Sequence, residues 1–305
     1  MMAYDLVTIL GPTATGKTQI AAQLASEFNG EIISADSRQV YRGMDIGTGK
    51  DLEEYENRNI PFHIIDITDP TDEYNLFRFR NDFIKSYQEI NNKNKLPFLV
   101  GGTGMYLSSI LQNYHLPKIE YSEKEYESLK ILPVHELKEI IINLNPKLHN
   151  TTDLIHKERI INAILVEKAH QTSETVSNKI SSLNIGVRAD REEIKRRITE
   201  RLKKRFDEGM IEEVEKLLSS RITHDKLKFF GLEYKYISLY LEEKIKFEEM
   251  FEELNRAIHK FAKRQMTWFR KMEKEGVEIS WFDTLEYKDI KSFIAEKLGN
   301  YANLS

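Results

Sequence analysis

Eight residues close to the N-terminus have the types and the spacing of a phosphate-binding loop. They are Gly11, Pro12, Thr13, Ala14, Thr15, Gly16, Lys17 and Thr18, and they fit the pattern G-x-x-x-x-G-K-[ST]. The glycines let the backbone fold back so that its N–H groups point at an anion, at the positive end of the following helix. Lys17 adds a positive charge, and the Thr18 hydroxyl can join the coordination shell of Mg²⁺. The loop therefore predicts a phosphate or diphosphate site, without showing whether the bound compound is ATP.

A carboxylate, Asp36, follows the second predicted strand, which covers residues 31–34. Ligands of parallel sheets bind at the carboxyl ends of the strands, so Asp36 is a candidate for chemistry. The alternative is that Asp36 and Ser37 only cap a helix or turn, and their position alone leaves both interpretations open. A P-loop nucleotide kinase would carry a Mg²⁺-binding acid at the end of another strand, but the strand at residues 97–100 is followed by Gly101-Gly102-Thr103-Gly104.

Short apolar segments alternate with amphipathic ones in the first third of the chain. Strands are predicted over residues 4–10, 31–34, 63–67 and 96–100, and helices over residues 19–28 and 77–90. A strand over residues 184–189 returns the chain to the sheet, and helices are predicted over residues 191–207, 211–218, 232–241 and 247–274. This alternation is typical of α/β proteins. We expect a P-loop NTPase-like parallel sheet flanked by helices, with a small helical insertion and a helical C-terminal half.

The alternation of strand and helix is lost between residues 112 and 157. This stretch is polar and helical, and Pro117, Pro133 and Pro146 interrupt it. We therefore divide the chain into a catalytic core, made of residues 1–111 and 158–305, and a helical insertion, made of residues 112–157.

The composition excludes several classes of protein. Of the 305 residues, 40% are hydrophobic and 31% are charged, which is too apolar for a disordered chain. The absence of cysteine excludes disulfides, thiolate metal sites and cysteine nucleophiles. No run approaches the roughly 18 apolar residues of a membrane helix, and the N-terminus lacks the pattern of a signal peptide. We expect a soluble, cytoplasmic protein that does not bind a membrane.

Positive charge is concentrated in the C-terminal half, although the net charge is −4. Nine basic residues face four acidic ones between Arg188 and Arg205, and seven face one between Arg256 and Lys274. Local basic patches favour a nucleic-acid partner, whereas a solvated charged helix face is the alternative interpretation.

Further motifs follow the loop in a fixed order. They are Asp36-Ser37-Arg38-Gln39-Val40-Tyr41, Gly43-Met44-Asp45-Ile46-Gly47-Thr48, Asp66-Ile67-Thr68-Asp69-Pro70, Gly101-Gly102-Thr103-Gly104-Met105-Tyr106 and Ala262-Lys263-Arg264-Gln265-Met266-Thr267-Trp268-Phe269-Arg270. Together with the loop they resemble the tRNA dimethylallyltransferase (isopentenyltransferase) family. The resemblance implies transfer of a dimethylallyl group from dimethylallyl diphosphate to N6 of the adenosine 3′-adjacent to the anticodon. The implied substrates are tRNAs that read codons starting with U, and the implied product is N6-isopentenyladenosine.

The same resemblance implies roles for individual residues. Gly11 to Thr18 bind the diphosphate with Mg²⁺ as the cofactor, and Asp36 is the general base that takes the proton of the amine. Thr13 and Thr103 lie beside the amine and the reacting carbon, and Arg197 is favoured over Arg201 as a diphosphate ligand. Residues expected to contact the anticodon stem-loop of tRNA are Asp36, Ser37, Arg38, Gln39, Thr103, Glu158, Arg159, Ile160, Ile161, Asn162, Lys263, Arg264 and Gln265. The insertion is also expected to contact tRNA, and we expect a monomer.

Alternatives to this function remain open at this point. A related adenylate isopentenyltransferase would prenylate free AMP, ADP or ATP, but it would not need the basic segment at residues 262–270. A P-loop nucleotide kinase lacks its strand-end acid here, and a non-catalytic RNA-binding protein would leave the loop and Asp36 without a role. Trp268 and Phe269 are interpreted as core residues rather than stacking platforms. Gly47-Thr48-Gly49-Lys50 imitates part of a phosphate loop but follows no strand, so it is interpreted as a turn.

Overall fold

The protein is described here by a computed structural model that covers residues 4–113, 123–145, 157–172 and 180–299. Within these residues, six strands form one sheet in the order β3-β2-β4-β1-β5-β6. The strands are β1 (Leu6–Leu10), β2 (Gly30–Ala35), β3 (Phe62–His63), β4 (Leu96–Gly101), β5 (Ser182–Arg188) and β6 (Ser280–Asp283). Every pair of neighbouring strands is parallel. The predicted α/β class with a parallel sheet is therefore confirmed.

Helices cover both faces of the sheet. In chain order the helices are α1 (Lys17–Glu27), α2 (Glu53–Glu56), α3 (Leu76–Asn92), α4 (Gly104–Leu111), α5 (Glu123–Ile131), α6 (Val134–Leu144), α7 (Lys157–Thr172), α8 (Arg191–Asp207), α9 (Met210–Ser219), α10 (His224–Phe230), α11 (Leu232–Leu241), α12 (Phe247–Lys274) and α13 (Tyr287–Leu298). In the described part of the chain, no helix is both long and apolar enough to cross a membrane.

The central strand β1 is buried on both faces because its side chains alternate between two cores. Leu6 and Leu10 belong to a cluster that includes buried residues of α3, α4, α8 and α12. Val7 and Ile9 belong to a second cluster, which includes buried residues of α1 and α13. The apolar sequence of β1 is thus explained by two covered faces, and its carboxyl end leads into the phosphate loop.

The chain divides into two compact units, one made of residues 1–112 with 180–305 and the other of residues 113–179. In the second unit, α5, α6 and α7 pack around a small core that includes Leu137, Ile141, Ile160, Ile161 and Ile164. The predicted end of the insertion at residue 157 therefore falls too early, because α7 contributes its apolar residues to this small core. Residues 114–122 and 146–156 of the predicted insertion lie outside the described residues.

Several boundaries differ from those predicted. The strand expected over residues 63–67 ends at His63, because Ile64 and Asp66 adopt positive φ angles of 63° and 55°, which an extended strand does not accommodate. Helix α10, strand β6 and helix α13 were not predicted at all. The helices predicted over residues 191–207, 232–241 and 247–274 are found with those bounds.

Candidate active site

The phosphate loop joins β1 to α1 at the carboxyl end of the central strand, as its sequence predicted. Ala14 and Gly16 have left-handed backbone conformations, with φ angles of 65° and 72°, which fold the loop back on itself. The Thr15 hydroxyl and the Lys17 ammonium group each donate a hydrogen bond of 2.9 Å to the carbonyl oxygen of Pro12. The loop therefore has the strand-loop-helix context that phosphate binding requires.

Two side chains from distant parts of the sequence hold the loop in place. Gln265 on α12 accepts a hydrogen bond from the backbone N–H of Thr13 at 2.9 Å and donates one to the carbonyl oxygen of Gly102, also at 2.9 Å. The hydroxyl of Thr284, directly after β6, donates to the carbonyl oxygen of Thr15 at 2.8 Å. Gln265 thus bridges the phosphate loop and the segment after β4, a role that the sequence did not suggest. Its expected contact with tRNA stays a prediction.

One cleft of about 570 Å³ brings together residues expected to act in chemistry or binding. Expected site residues that line it are Thr13, Lys17, Thr18, Asp36, Ser37, Arg38, Gln39, Thr103, Arg264 and Gln265. Residues that line it without having been singled out for the site include Asp51, Tyr55, Arg205 and Lys228. Asp51 directly follows Gly47-Thr48-Gly49-Lys50 and Arg205 ends the basic stretch from Arg188, but only the folded chain shows that these residues line the cleft. Segments from distant parts of the sequence thereby meet at one site.

Lys17, Arg201 and Arg205 are three of the cations that line the cleft. Burial, together with the positive charge of Arg201, lowers the pKa of Lys17 to about 8, although the carboxylates of Asp36 and Asp51 oppose this shift. Burial and the charge of Arg205 likewise lower the pKa of Arg201 to about 10. Because burial is the largest cause of both shifts, the charged forms of Lys17 and Arg201 are costly unless an anion binds beside them. The cleft is therefore electrostatically suited to a polyanion such as a diphosphate.

Helix α8 places Arg201, and not Arg197, in this cleft. Arg201 lines the cleft and donates a hydrogen bond to the hydroxyl of Thr13. Arg197 lies one turn earlier and donates to the carboxylate of Glu193 at 2.5 Å. The preference for Arg197 over Arg201 is thus not supported by the geometry, because the earlier turn of α8 does not line the cleft. The spacing of four residues identified the right helix face but not the right position along it.

Asp36 caps a turn and also lines the cleft, so the turn-capping interpretation is correct while its role in chemistry stays a prediction. One carboxylate oxygen accepts a hydrogen bond of 2.9 Å from the backbone N–H of Arg38, as in a turn cap, and the residue also lines the cleft. The hydroxyl of Thr103 accepts a hydrogen bond of 3.1 Å from the backbone N–H of Ser37. This bond joins the segment that carries Asp36 to the glycine-rich segment after β4. A carboxylate therefore stands in a fixed orientation beside the phosphate loop.

The protein supplies few oxygens for a metal ion in the cleft. Among the described residues, no three His, Cys, Asp or Glu side chains form a group that could hold one. The Thr18 hydroxyl and the carboxylates of Asp36 and Asp51 all line the cleft. Mg²⁺ at phosphate sites keeps several water ligands and is otherwise bound mainly through substrate oxygens and one or two protein oxygens. The residues present fit a Mg²⁺ ion of this kind.

Other expected site residues lie elsewhere. Lys263 is exposed on α12 and is not among the lining residues. Ile160 and Ile161 are buried in the small core of the second unit, which contradicts a contact of their side chains with tRNA. Residues 158, 159 and 162 belong to α7, but their side chains lie outside the described part of the structure.

Trp268 and Phe269 of α12, which were both interpreted as core residues, differ in how deeply they are buried. Phe269 is fully buried, which confirms the interpretation. Trp268 is partly exposed and lines the cleft, where its indole N–H donates a hydrogen bond of 2.8 Å to the hydroxyl of Ser108. Trp268 is therefore part of the site wall.

The fold and the site together define a P-loop α/β protein whose cleft suits a diphosphate and places a carboxylate beside it. Two family models match the chain: "IPP transferase" over residues 39–272 and "Isopentenyl transferase" over residues 4–59. The first covers most of the chain, including the segments that carry Thr103, Arg201 and Gln265.

Relatives match the chain over nearly its whole length. The tRNA dimethylallyltransferase 2 of Phocaeicola vulgatus is 51% identical over 288 residues, which are 93% of this chain and 94% of that protein. The tRNA dimethylallyltransferase 1 of Syntrophus aciditrophicus is 46% identical over 297 residues, or 95% of this chain and 97% of that one. The crystal structure of the tRNA isopentenylpyrophosphate transferase of Bacillus halodurans has a TM-score of 0.72 at 34% identity and covers 98% of both chains. The chain belongs to the tRNA dimethylallyltransferase family, as its motifs indicated.

Proposed function

We propose that the protein transfers the dimethylallyl group of dimethylallyl diphosphate to N6 of the adenosine 3′-adjacent to the anticodon, in tRNAs that read codons starting with U. The product is N6-isopentenyladenosine. One observation carries the proposal: the phosphate loop and Asp36 open into the same cleft, in a member of this family. No observation favours transfer to free AMP, ADP or ATP, or the activity of a nucleotide kinase.

The diphosphate binds to the backbone N–H groups of the phosphate loop and to the cations of the cleft. Lys17, Arg201 and Arg205 supply positive charge where the diphosphate gains negative charge as it leaves. The bond between C1 of the dimethylallyl group and the diphosphate oxygen breaks, and its electron pair stays with the diphosphate. The bond between C1 and N6 forms from the electron pair of the amine.

Asp36 accepts the proton that the amine must lose. The N6 amine of adenine is a weak nucleophile, so a carboxylate within hydrogen-bond reach assists its attack. The hydrogen bond from the N–H of Arg38 fixes the carboxylate in one orientation, which supports this role because proton transfer depends on geometry. Thr13 and Thr103 line the same cleft, consistent with positions beside the amine and the reacting carbon.

Mg²⁺ is the proposed cofactor. The Thr18 hydroxyl would hold it together with oxygens of the diphosphate, and the acids at Asp36 and Asp51 lie in the same cleft. When bound, Mg²⁺ neutralises charge on the leaving diphosphate. Lys17 and Arg201 supply the remaining positive charge from the protein side.

The tRNA approaches the cleft with its anticodon loop, and the target adenosine leaves the base stack to reach Asp36. Ser37, Arg38, Gln39 and Arg264 line the cleft and are the proposed contacts, and exposed Lys263 adds a phosphate contact. A monomer is the proposed active form. A tRNA substrate supports a location in the cytoplasm.

The test follows a label from dimethylallyl diphosphate in the presence of Mg²⁺. Parallel reactions contain total tRNA or AMP as the acceptor, and a third contains tRNA without Mg²⁺. We expect label only in tRNA and only with Mg²⁺. Transfer to AMP but not to tRNA would overturn the proposed acceptor, and undiminished transfer without Mg²⁺ would overturn the proposed cofactor.

A further inference from the structure

The segment Gly47-Thr48-Gly49-Lys50 repeats the end of a phosphate-loop pattern, yet the proposed function does not use it. In the structure it belongs to a turn, and Gly47, Thr48 and Gly49 line the cleft. The backbone N–H groups at the start of this turn do bind an anion, but the anion belongs to the protein. It is the carboxylate of Glu213 on helix α9.

The carboxylate of Glu213 receives four hydrogen bonds. The backbone N–H groups of Asp45 and Ile46 both donate to Oε2 at 2.7 Å, and that of Gly47 donates to Oε1 at 3.0 Å. The hydroxyl of buried Tyr234 donates to Oε1 at 2.7 Å. Each oxygen therefore has two donors, and hydrogen bonds to a charged acceptor are stronger than those between neutral groups.

Gly47 is required for this arrangement because it lies against the ring of Tyr234. A Cβ atom at this position would be 2.7 Å from the phenol carbon and oxygen of Tyr234. Lys50 closes the other end of the turn, since its buried ammonium group donates to Asp45, Asp66 and the carbonyl oxygen of Tyr41. The turn is thus fixed from α9, α11 and the segment after β3.

The turn is also linked to the proposed tRNA-binding segment, residues 36–39. The side-chain amide of Gln39 donates a hydrogen bond of 3.0 Å to the carbonyl oxygen of Gly49, and its oxygen accepts one of 2.8 Å from Ser34. Gln39 lines the cleft three residues after Asp36. The phosphate loop is held separately, by Gln265 and Thr284. The two halves of the cleft therefore have different main supports, and the hydrogen bond between Ser37 and Thr103 connects them.

We infer that Glu213 is a positioning residue for the acceptor side of the reaction. It holds the turn at residues 45–49, and through Gly49 and Gln39 it sets the cleft wall that receives the tRNA. This inference rests on the proposed function, because it assigns that wall to the nucleic acid. Helix α9 itself is anchored by buried Met210, Val214 and Leu217, so the carboxylate is not needed to dock the helix.

The test is the substitution Glu213→Gln. It keeps the shape of the side chain, but it replaces one acceptor oxygen with an NH₂ group, a donor that faces backbone N–H groups. We expect the KM for tRNA to rise about 10- to 100-fold, since small displacements of positioning groups have effects of this size. The Kd of dimethylallyl diphosphate, measured by calorimetry, should stay within about twofold of the wild type. Glu212→Gln is the matched control, because Glu212 is the exposed neighbour on the same helix and makes none of these bonds.

A second measurement does not depend on activity. Hydrogen exchange of the amides of Asp45, Ile46 and Gly47 should accelerate in E213Q, and so should exchange in the segment around Gln39, while the phosphate loop stays protected. Unchanged exchange at residues 36–39, or equal weakening of tRNA and dimethylallyl diphosphate binding, would overturn the inference. If neither the wild type nor E212Q transfers label to tRNA, the proposed function is wrong. The hydrogen-exchange measurement then still shows whether Glu213 positions the segment around Gln39.

Discussion

The guanidinium group of Arg201 donates a hydrogen bond to the hydroxyl of Thr13, so that helix α8 is joined directly to the phosphate loop. A residue more than halfway along the chain thereby touches the loop that the first strand leads into. The bond keeps a positive charge next to Lys17, which carries the same charge, and burial makes the pair costly in the absence of an anion. The two side chains are therefore arranged for a ligand that brings negative charge.

Arg201→Ala should lower kcat/KM for dimethylallyl diphosphate by about 10²-fold, because the leaving diphosphate loses a charged donor. Steady-state kinetics at saturating tRNA measures the effect. Arg197→Ala is the matched control on the same helix. It removes a half-exposed ion pair with Glu193 outside the cleft, and activity should stay near that of the wild type. The opposite ranking of the two variants would restore Arg197 as the diphosphate ligand.

Asp36→Asn should lower kcat by about 10²- to 10⁴-fold, the range found when a general base is removed. The affinity for dimethylallyl diphosphate should be retained, because the phosphate loop and its cations are unchanged. Single-turnover transfer to tRNA, with a parallel binding titration, separates the two effects. Asp51→Asn is the informative comparison, since Asp51 lines the same cleft. A larger loss in D51N than in D36N would move the base to Asp51.

The pKa of Lys17, about 8 in the free protein, predicts a pH dependence of diphosphate binding. Below pH 8 the side chain is protonated and binds the diphosphate with its full charge. As the pH rises above 8, the free protein loses this proton and must take it up again on binding. The affinity for dimethylallyl diphosphate should therefore fall, by at most about tenfold per pH unit.

Calorimetric titrations between pH 7 and pH 9.5, in two buffers with different ionisation enthalpies, would measure both the affinity and the proton uptake. In Lys17→Arg the dependence should vanish in this range, because an arginine side chain stays charged. An affinity of the wild type that is flat across the range would contradict the assignment.

Gln265→Ala should destabilise the protein by about 2 kcal/mol, because it leaves the N–H of Thr13 and the carbonyl oxygen of Gly102 without their side-chain partner. Urea denaturation measures the change in the free energy of unfolding. Gln23→Ala on the surface of α1 is the control, with an expected change below about 0.5 kcal/mol. A Q265A protein as stable as Q23A would show that the bridge between the two segments contributes nothing.

The sequence predicted the motif-bearing parts of the site because their chemistry depends on local spacing. The phosphate loop, Asp36 and Thr103 lie where the ends of β1, β2 and β4 meet, and a parallel sheet dictates that meeting point. Arg201 and Gln265 were harder to assign. A helical period of four residues identifies a face of α8, but only the packing of the whole helix decides which turn lies at the cleft.

Two differences between the predicted and observed strands arise from contacts or backbone angles that a short segment of sequence does not reveal. Strand β6 has four residues, and it becomes a strand by pairing with β5, where Ile185 lies beside Ser280 and Arg188 beside Asp283. Its aromatic residues favour a strand, but four residues are too few to show the alternation from which a strand is predicted. Conversely, apolar residues 64 and 65 resemble a continuing strand, yet the left-handed backbone at Ile64 turns the chain away from the sheet.

The placement of β1 at the centre of the sheet has a consequence for synthesis on the ribosome. Its neighbours β4 and β5 begin at Leu96 and Ser182, and Thr284, which holds the loop after β1, is translated later still. One edge of the nascent N-terminal strand can pair once β4 has emerged, but the other edge stays unpaired until β5, more than halfway along the chain, has been translated. Such long-range pairing slows folding and exposes apolar edges to aggregation, so the emerging chain is a natural client for chaperones.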